Sequence, residues 1–121
     1  KTIAVLGLTF KPNTDDMRDA PSLVIIPALQ AAGAKINSFD PEGMDEAKKI
    51  LSEIKWCNDS YEAMSGADGI LILTEWNQFR SLDISRVLEL LNTPIMVDLR
   101  NIYDPKEMTD IGFKYISVGR K

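Results

Sequence analysis

Ile3-Ala4-Val5-Leu6-Gly7-Leu8-Thr9-Phe10-Lys11-Pro12-Asn13-Thr14-Asp15-Asp16-Met17-Arg18-Asp19-Ala20-Pro21-Ser22-Leu23 is the stretch on which the fold turns. Its first four residues are all apolar and end at a glycine, the pattern of a short strand buried on both faces of a sheet by helices. The polar stretch from Leu8 to Ala20 is far longer than the ~2–6 residues usual between a strand and the next helix in α/β units, and loops of that length usually carry function. Pro21-Ser22 opens a helical segment that places Leu23, Ile26, Leu29 and Ala32 on one face, with Gly33 as its stop. Pro27 falls inside this segment, so a kink there, or a helix that begins nearer Val24, is expected.

Working outward, Ala34 to Phe39 reads as a second strand and Asp40-Pro41-Glu42-Gly43 as a turn. Met44 to Ile54 reads as an amphipathic helix with Ala47, Ile50 and Leu51 inward. Trp56-Cys57 is a weak third strand, Asp59 to Ser65 a short helix capped by Asn58 or Asp59, and Gly69 to Leu73 a strongly apolar strand. Ile84 to Leu91 predicts a helix burying Val87, Leu88 and Leu91, followed by a strand from Ile95 to Val97, a short helix from Lys106 to Asp110 and a last strand from Tyr115 to Val118. The alternation implies an α/β fold: a Rossmann-like three-layer sandwich with a mostly parallel sheet of about six strands and right-handed crossovers. Ligands in such folds sit at the carboxyl ends of the strands.

The chain has 121 residues, 45% of them hydrophobic, which fits one domain with a single core. Its formal charge of -4 argues against a broad electrostatic grip on nucleic acid or an anionic membrane, so an anionic ligand must be held by a few placed cations. Cys57 is the only cysteine and histidine is absent, which excludes an internal disulfide and a Cys/His metal or nucleophile pair and points to a reducing, cytoplasmic setting. No apolar run approaches the ~20 residues that cross a bilayer, and no secretory pattern opens the chain. Lys1 followed at once by an apolar strand reads as a piece cut at a domain boundary.

The first turn matches neither familiar phosphate-binding motif. A dinucleotide fingerprint places glycines at the first, third and sixth positions, but here Gly7 is followed by Thr9 and Pro12, and no glycine-lysine-hydroxyl sequence of a P-loop follows. What the turn offers is Phe10-Lys11, a flat apolar face beside a cation where a sugar or phosphate can dock, against the plainer reading of a core phenylalanine and a solvated lysine. Arg18 suits a phosphate or a carboxylate, and its acidic neighbours Asp15, Asp16 and Asp19 also allow a local ion pair. Asp98 and Arg100 lie just past the strand from Ile95 to Val97, where Arg100 can approach the Lys11 cleft or a neighbouring subunit; the plainer account is an Asp98 turn beside an exposed arginine. Trp76 and Phe79 read as packing residues, Cys57 as a small buried hydrophobe, and Asp40 as a turn or capping residue without functional weight. No metal-ligand cluster stands out.

The quoted run from Ile3 to Leu23 resembles the start of the C-terminal, UDP-binding domain of UDP-glucose 6-dehydrogenases, in the UDP-glucose/GDP-mannose dehydrogenase family. Phe39-Asp40-Pro41, Thr74-Glu75-Trp76 with Phe79, and Asp98-Leu99-Arg100-Asn101 follow in the family's order, so the resemblance covers essentially the whole chain. It implies a larger enzyme that oxidises C6 of the glucosyl unit to a carboxylate in two steps with two NAD molecules and a covalent cysteine intermediate, the cysteine lying in preceding domains. It also implies that Phe10, Lys11 and Arg100 contact the sugar nucleotide and Arg18 contacts NAD. The implied partners are a UDP-sugar, the preceding NAD-binding and central domains, and further copies in a homo-oligomer, with neither nucleic acid nor membrane. The fragment alone is then expected to be inactive.

Sister UDP-N-acetylhexosamine and GDP-mannose dehydrogenases share this architecture and stand as alternatives. Asp15-Asp16 and Thr74 also permit a receiver-like phosphoacceptor domain, although no aspartate ends the third strand and Arg100 stands where a lysine is needed. A plain interaction module that closes over a substrate bound elsewhere is the third reading.

Overall fold

The structure, a computed structural model, describes residues 1–9, 13, 16–17 and 20–117. Six strands form one sheet: β1 (Thr2–Leu6), β2 (Lys35–Phe39), β3 (Ile54–Trp56), β4 (Gly69–Ile72), β5 (Ile95–Asp98) and β6 (Lys114–Ser117), in the order β3-β2-β1-β4-β5-β6. Every neighbouring pair is parallel, so the expected α/β sheet is parallel throughout rather than mostly. The chain steps outward from β1 to β3, returns, and steps outward again from β4 to β6. A topological switch point therefore lies between the carboxyl ends of β1 and β4, where doubly wound sheets bind ligands. A receiver-like domain has the order 2-1-3-4-5. The order here rules that alternative out.

Side chains alternate across the strands and build two apolar layers. Ala4, Leu6, Ile70, Ile72 and Met96 face α3 (Ser60–Met64), α4 (Asn77–Arg80), α5 (Ile84–Leu90) and α6 (Pro105–Ile111), whose Met64, Phe79, Val87 and Met108 are fully buried or nearly so. Val5, Ile36, Leu71 and Leu73 face α1 (Ser22–Ala31) and α2 (Met44–Lys48), together with Leu8, Met17 and Ala20 of the long connection. Asp59, Asp83 and Asp104 cap their helices by accepting from Glu62 N, Arg86 N and Glu107 N at 2.8, 3.3 and 2.9 Å.

The helices bear out part of the reading and correct the rest. The first helix opens at Ser22, as Pro21-Ser22 signals, and not nearer Val24: the amides of Val24 and Ile25 both donate to Pro21 O, and the helix runs on through Pro27. Pro27 is tolerated on the exposed side, where water can take the carbonyl that its missing N–H leaves, and Ala32 is exposed rather than inward. The helix expected from Met44 to Ile54 stops at Lys48, because Ile54 is needed in β3. Glu53 turns the chain at φ 58°, Gln30 of α1 donates to Ser52 O and Glu53 O, and Ile50 is left 58% exposed. Finally, α4, which was not expected, follows Trp76 directly and drops Phe79 into the core at 0% exposure.

Candidate functional site

The carboxyl edge around the switch point is built from three strand ends tied to one another. Gly7 ends β1 at φ 93°, and a Cβ there would lie 2.5 Å from Thr74 Cβ, so only glycine fits. The close approach lets Thr74 Oγ1 donate to Thr9 O at 2.7 Å, which closes the crevice between the extensions of β1 and β4. Ser22 Oγ donates to Leu8 O at 2.6 Å and fixes the start of α1 to the same turn.

Asp40, just past β2, is the centre of this edge. Its Oδ2 accepts from Leu8 N at 2.7 Å, from Thr9 N at 3.3 Å and from Trp76 Nε1 at 3.2 Å, while Oδ1 accepts from Glu42 N at 2.9 Å and Gly43 N at 2.7 Å. One buried carboxylate thus joins the turns after β1, β2 and β4. The expected turn role is present, but it is the smaller part of what Asp40 does. Sequence reasoning missed the rest because Leu8 and Trp76 are 32 and 36 residues away.

This arrangement does not fit a dinucleotide held in the usual way. In that mode the first-turn amides face a pyrophosphate and the acid after the second strand faces a ribose. Here the Leu8 and Thr9 amides face Asp40, so the two halves of the potential cofactor site satisfy each other. A Cβ at Gly43 would meet Thr9 Cγ2, so the Thr9 side chain closes over Gly43 as well. NAD chemistry therefore gains no site at this turn.

Arg100 is presented at the same edge by a second carboxylate. Asp98, fully buried at the end of β5, accepts from Arg100 N at 3.0 Å, Ile102 N at 2.8 Å, Tyr103 N at 3.2 Å and the Tyr115 hydroxyl at 2.6 Å. Tyr103 in turn donates to the Phe79 carbonyl. Burial, then the Asp98 carboxylate and Tyr61, push the Tyr103 phenol above its ordinary range, so it stays a neutral donor. The expected Asp98 turn is therefore present, with a tyrosine pair supporting it. The arginine is half-buried rather than exposed, and its Nε lies 3.2 Å from Glu75 Oε2. Since Glu75 follows β4, the guanidinium leans from β5 toward the switch point.

Of the other residues singled out, Phe10, Lys11 and Arg18 lie outside the described residues. Trp76 and Phe79 pack as expected, Phe79 meeting Phe39 edge to face at 6.5 Å between centroids. Cys57 is buried, and burial first, then Glu62, raises its thiol above the usual range, in keeping with an inert small hydrophobe.

Fold and edge together define a doubly wound α/β domain of the nucleotide-binding class, with its first turn closed to a dinucleotide. The chain belongs to the UDP-glucose/GDP-mannose dehydrogenase family, residues 4–105 matching its UDP binding domain. It is 53% identical over 98% of its length to UDP-glucose 6-dehydrogenase of Rhizobium meliloti, and 45% identical over 99% to UDP-glucose 6-dehydrogenase TuaD of Bacillus subtilis. It spans only 27% and 26% of those two relatives. Among solved structures, NDP-N-acetyl-D-galactosaminuronic acid dehydrogenase from Methanosarcina mazei superposes with a TM-score of 0.82 at 26% identity, over 99% of this chain and 25% of that one.

Proposed function

We propose that this domain holds the UDP moiety of UDP-glucose in a longer NAD-dependent UDP-glucose 6-dehydrogenase, which oxidises the sugar to UDP-glucuronate in two NAD-dependent steps. The observation that carries the reading is Arg100, fixed by Asp98 and leaning over the end of β4 beside the switch point. A diphosphate is an anion that an acidic domain can hold only with focused cations. Arg100 supplies one, and Lys11 supplies a second, with Phe10 beside it. Glu75 keeps the guanidinium oriented, and an incoming diphosphate competes with that carboxylate.

UDP-glucose is favoured over an N-acetylated sugar because identity to the named UDP-glucose 6-dehydrogenases reaches 53%, against 26% for the N-acetylgalactosaminuronate enzyme. NAD belongs on the preceding NAD-binding domain, with Arg18 as the contact to it that the resemblance implies, since the turn after β1 is closed by Asp40. The 121-residue chain alone is then a binding domain without dehydrogenase activity, and the longer enzyme is a cytoplasmic homo-oligomer. Among the described residues no helix is long and apolar enough to cross a membrane.

Calorimetric titration of the 121-residue chain tests the reading. UDP and UDP-glucose bind, Lys11→Ala and Arg100→Ala each weaken binding about tenfold or more, as loss of one charge-assisted contact does, and NAD gives no heat. Unchanged UDP affinity in both variants overturns it.

A further inference from the structure

The helix α1 breaks the amphipathic rule. Residues 20–34 hold no charged side chain, although charged residues make up 26% of the chain. Ile26 is buried against the sheet, while the opposite side, with Val24 73% exposed and Pro27, Ala28 and Ala31 also exposed, is apolar too. A helix apolar all round is a buried helix. Beside it, the described residues leave half of one sheet face bare. The connections from β4 to β5 and from β5 to β6 run through α4, α5 and α6 on the other face, and no helix among the described residues covers β5 and β6 on the α1 side. Ile116, paired with Val97, is 49% exposed there. Between α1 and strands β1, β4 and β5 lies a cavity of about 370 Å³ lined by Ile3, Ile25, Leu29, Leu71 and Val97.

We infer that the outer side of α1 and the bare half-sheet form one docking surface for the stretch of the longer enzyme that leads into Lys1, lying there as an amphipathic helix. The inference rests on the multidomain reading above. Three observations choose this occupant. Some three-quarters of the length of the matched relatives lies outside this chain. Lys1 itself lines the cavity, which opens at the amino ends of the strands, so the polypeptide joined to it arrives at the groove. From β4, whose Leu71 and Leu73 are buried in the α1 layer, to the edge strand β6 is ~10 Å at two ~4.8 Å spacings, the diameter of one helix. The four residues of β5 are ~13 Å long, which matches about nine helical residues with apolar side chains on one face. Unlike the carboxyl edge, this surface serves assembly of the enzyme and leaves the nucleotide end open.

Cysteine reporters at Val24→Cys and Val97→Cys test the inference in the full-length enzyme and in the 121-residue chain, with alkylation followed by peptide mass spectrometry. Both thiols react readily in the short chain and at least tenfold more slowly in the full-length enzyme. A benzophenone-maleimide on the thiol introduced by Val97→Cys, in enzyme mixed from heavy- and light-isotope subunits, then forms cross-links whose two peptides carry the same isotope and include the residues before Lys1. Mixed-isotope cross-links assign the surface to a second copy and overturn the proposal, as does equal reactivity in short and long chains. A gene product of only these 121 residues refutes the multidomain reading itself, whereas unprotected thiols in a longer enzyme refute only the docking surface.

Discussion

Replacing Asp40 separates the structural centre of the site from its surroundings. In Asp40→Ala the buried amides of Leu8 and Gly43, each 2.7 Å from the carboxylate, lose a charged acceptor, and Trp76 Nε1 loses its partner at 3.2 Å. Hydrogen bonds to charged groups contribute about 1.5–3 kcal/mol each, and the two short ones alone set a loss of about 4 kcal/mol. The Thr9 amide, at 3.3 Å, adds little. Asp40→Asn keeps one acceptor oxygen, so it serves either the Leu8 and Trp76 side or the Gly43 side, and the expected loss is about 2 kcal/mol. Urea unfolding followed by tryptophan fluorescence measures both. With a slope of about 1.5 kcal/mol/M, the midpoint falls by about 2.7 M for the alanine and about 1.3 M for the asparagine. If both variants unfold within about 0.5 kcal/mol of the parent, the reading of Asp40 as the clamp of the switch point is wrong.

Gly7→Ala introduces a Cβ 2.5 Å from Thr74 Cβ at a backbone φ of 93°. The expected cost is about 3 kcal/mol, a fall of some 15 °C in melting temperature by calorimetry, and a parent-like melt would show that the turn can relax. Cys57 has its thiol pKa raised above 9.0 in the folded chain, chiefly by burial. The unfolded chain therefore loses that proton first as pH rises through 9.0, and stability declines above it. Denaturation curves show the decline setting in near pH 9.0, and Cys57→Ala removes that first step while the later decline from the raised Tyr103 phenol remains; iodoacetamide modifies Cys57 only when the chain is unfolded.

The fold was legible because its signals are local. An apolar run ended by Gly7, another starting at Gly69, and Asp59 and Asp104 ahead of short helical segments each report their own few residues. The failures lie where a distant strand decides. Ala47 and Leu51 do face inward, so the helical period after Met44 holds as far as it goes. Pairing of Ile54 with Ile36 ends that helix early, and nothing within residues 44–54 announces it. The charge-free stretch around α1 was equally plain in the sequence, but a run of apolar residues at helical spacing says that a helix is buried without saying on how many sides.

The site divides along the same line. The position of Arg100 is legible because a cation just past a strand of an α/β sheet has a fixed place at the carboxyl edge. What the edge does with its amides could not be found that way. The pattern Gly7, Thr9, Pro12 shows only that a dinucleotide fingerprint is missing, and it leaves open what takes the place of the phosphate. The structure supplies the replacement: Asp40, at the position where a ribose-binding acid stands in dinucleotide domains, turns back onto Leu8 and Thr9. An anion in that pocket would face a carboxylate already there, so negative charge is turned away from the switch point and toward Arg100. Asp40 thus stiffens the edge and, on the proposed reading, leaves the diphosphate to side-chain cations. Neutralising the acid should consequently weaken the fold more than it weakens UDP binding, whereas removing Arg100 should do the reverse.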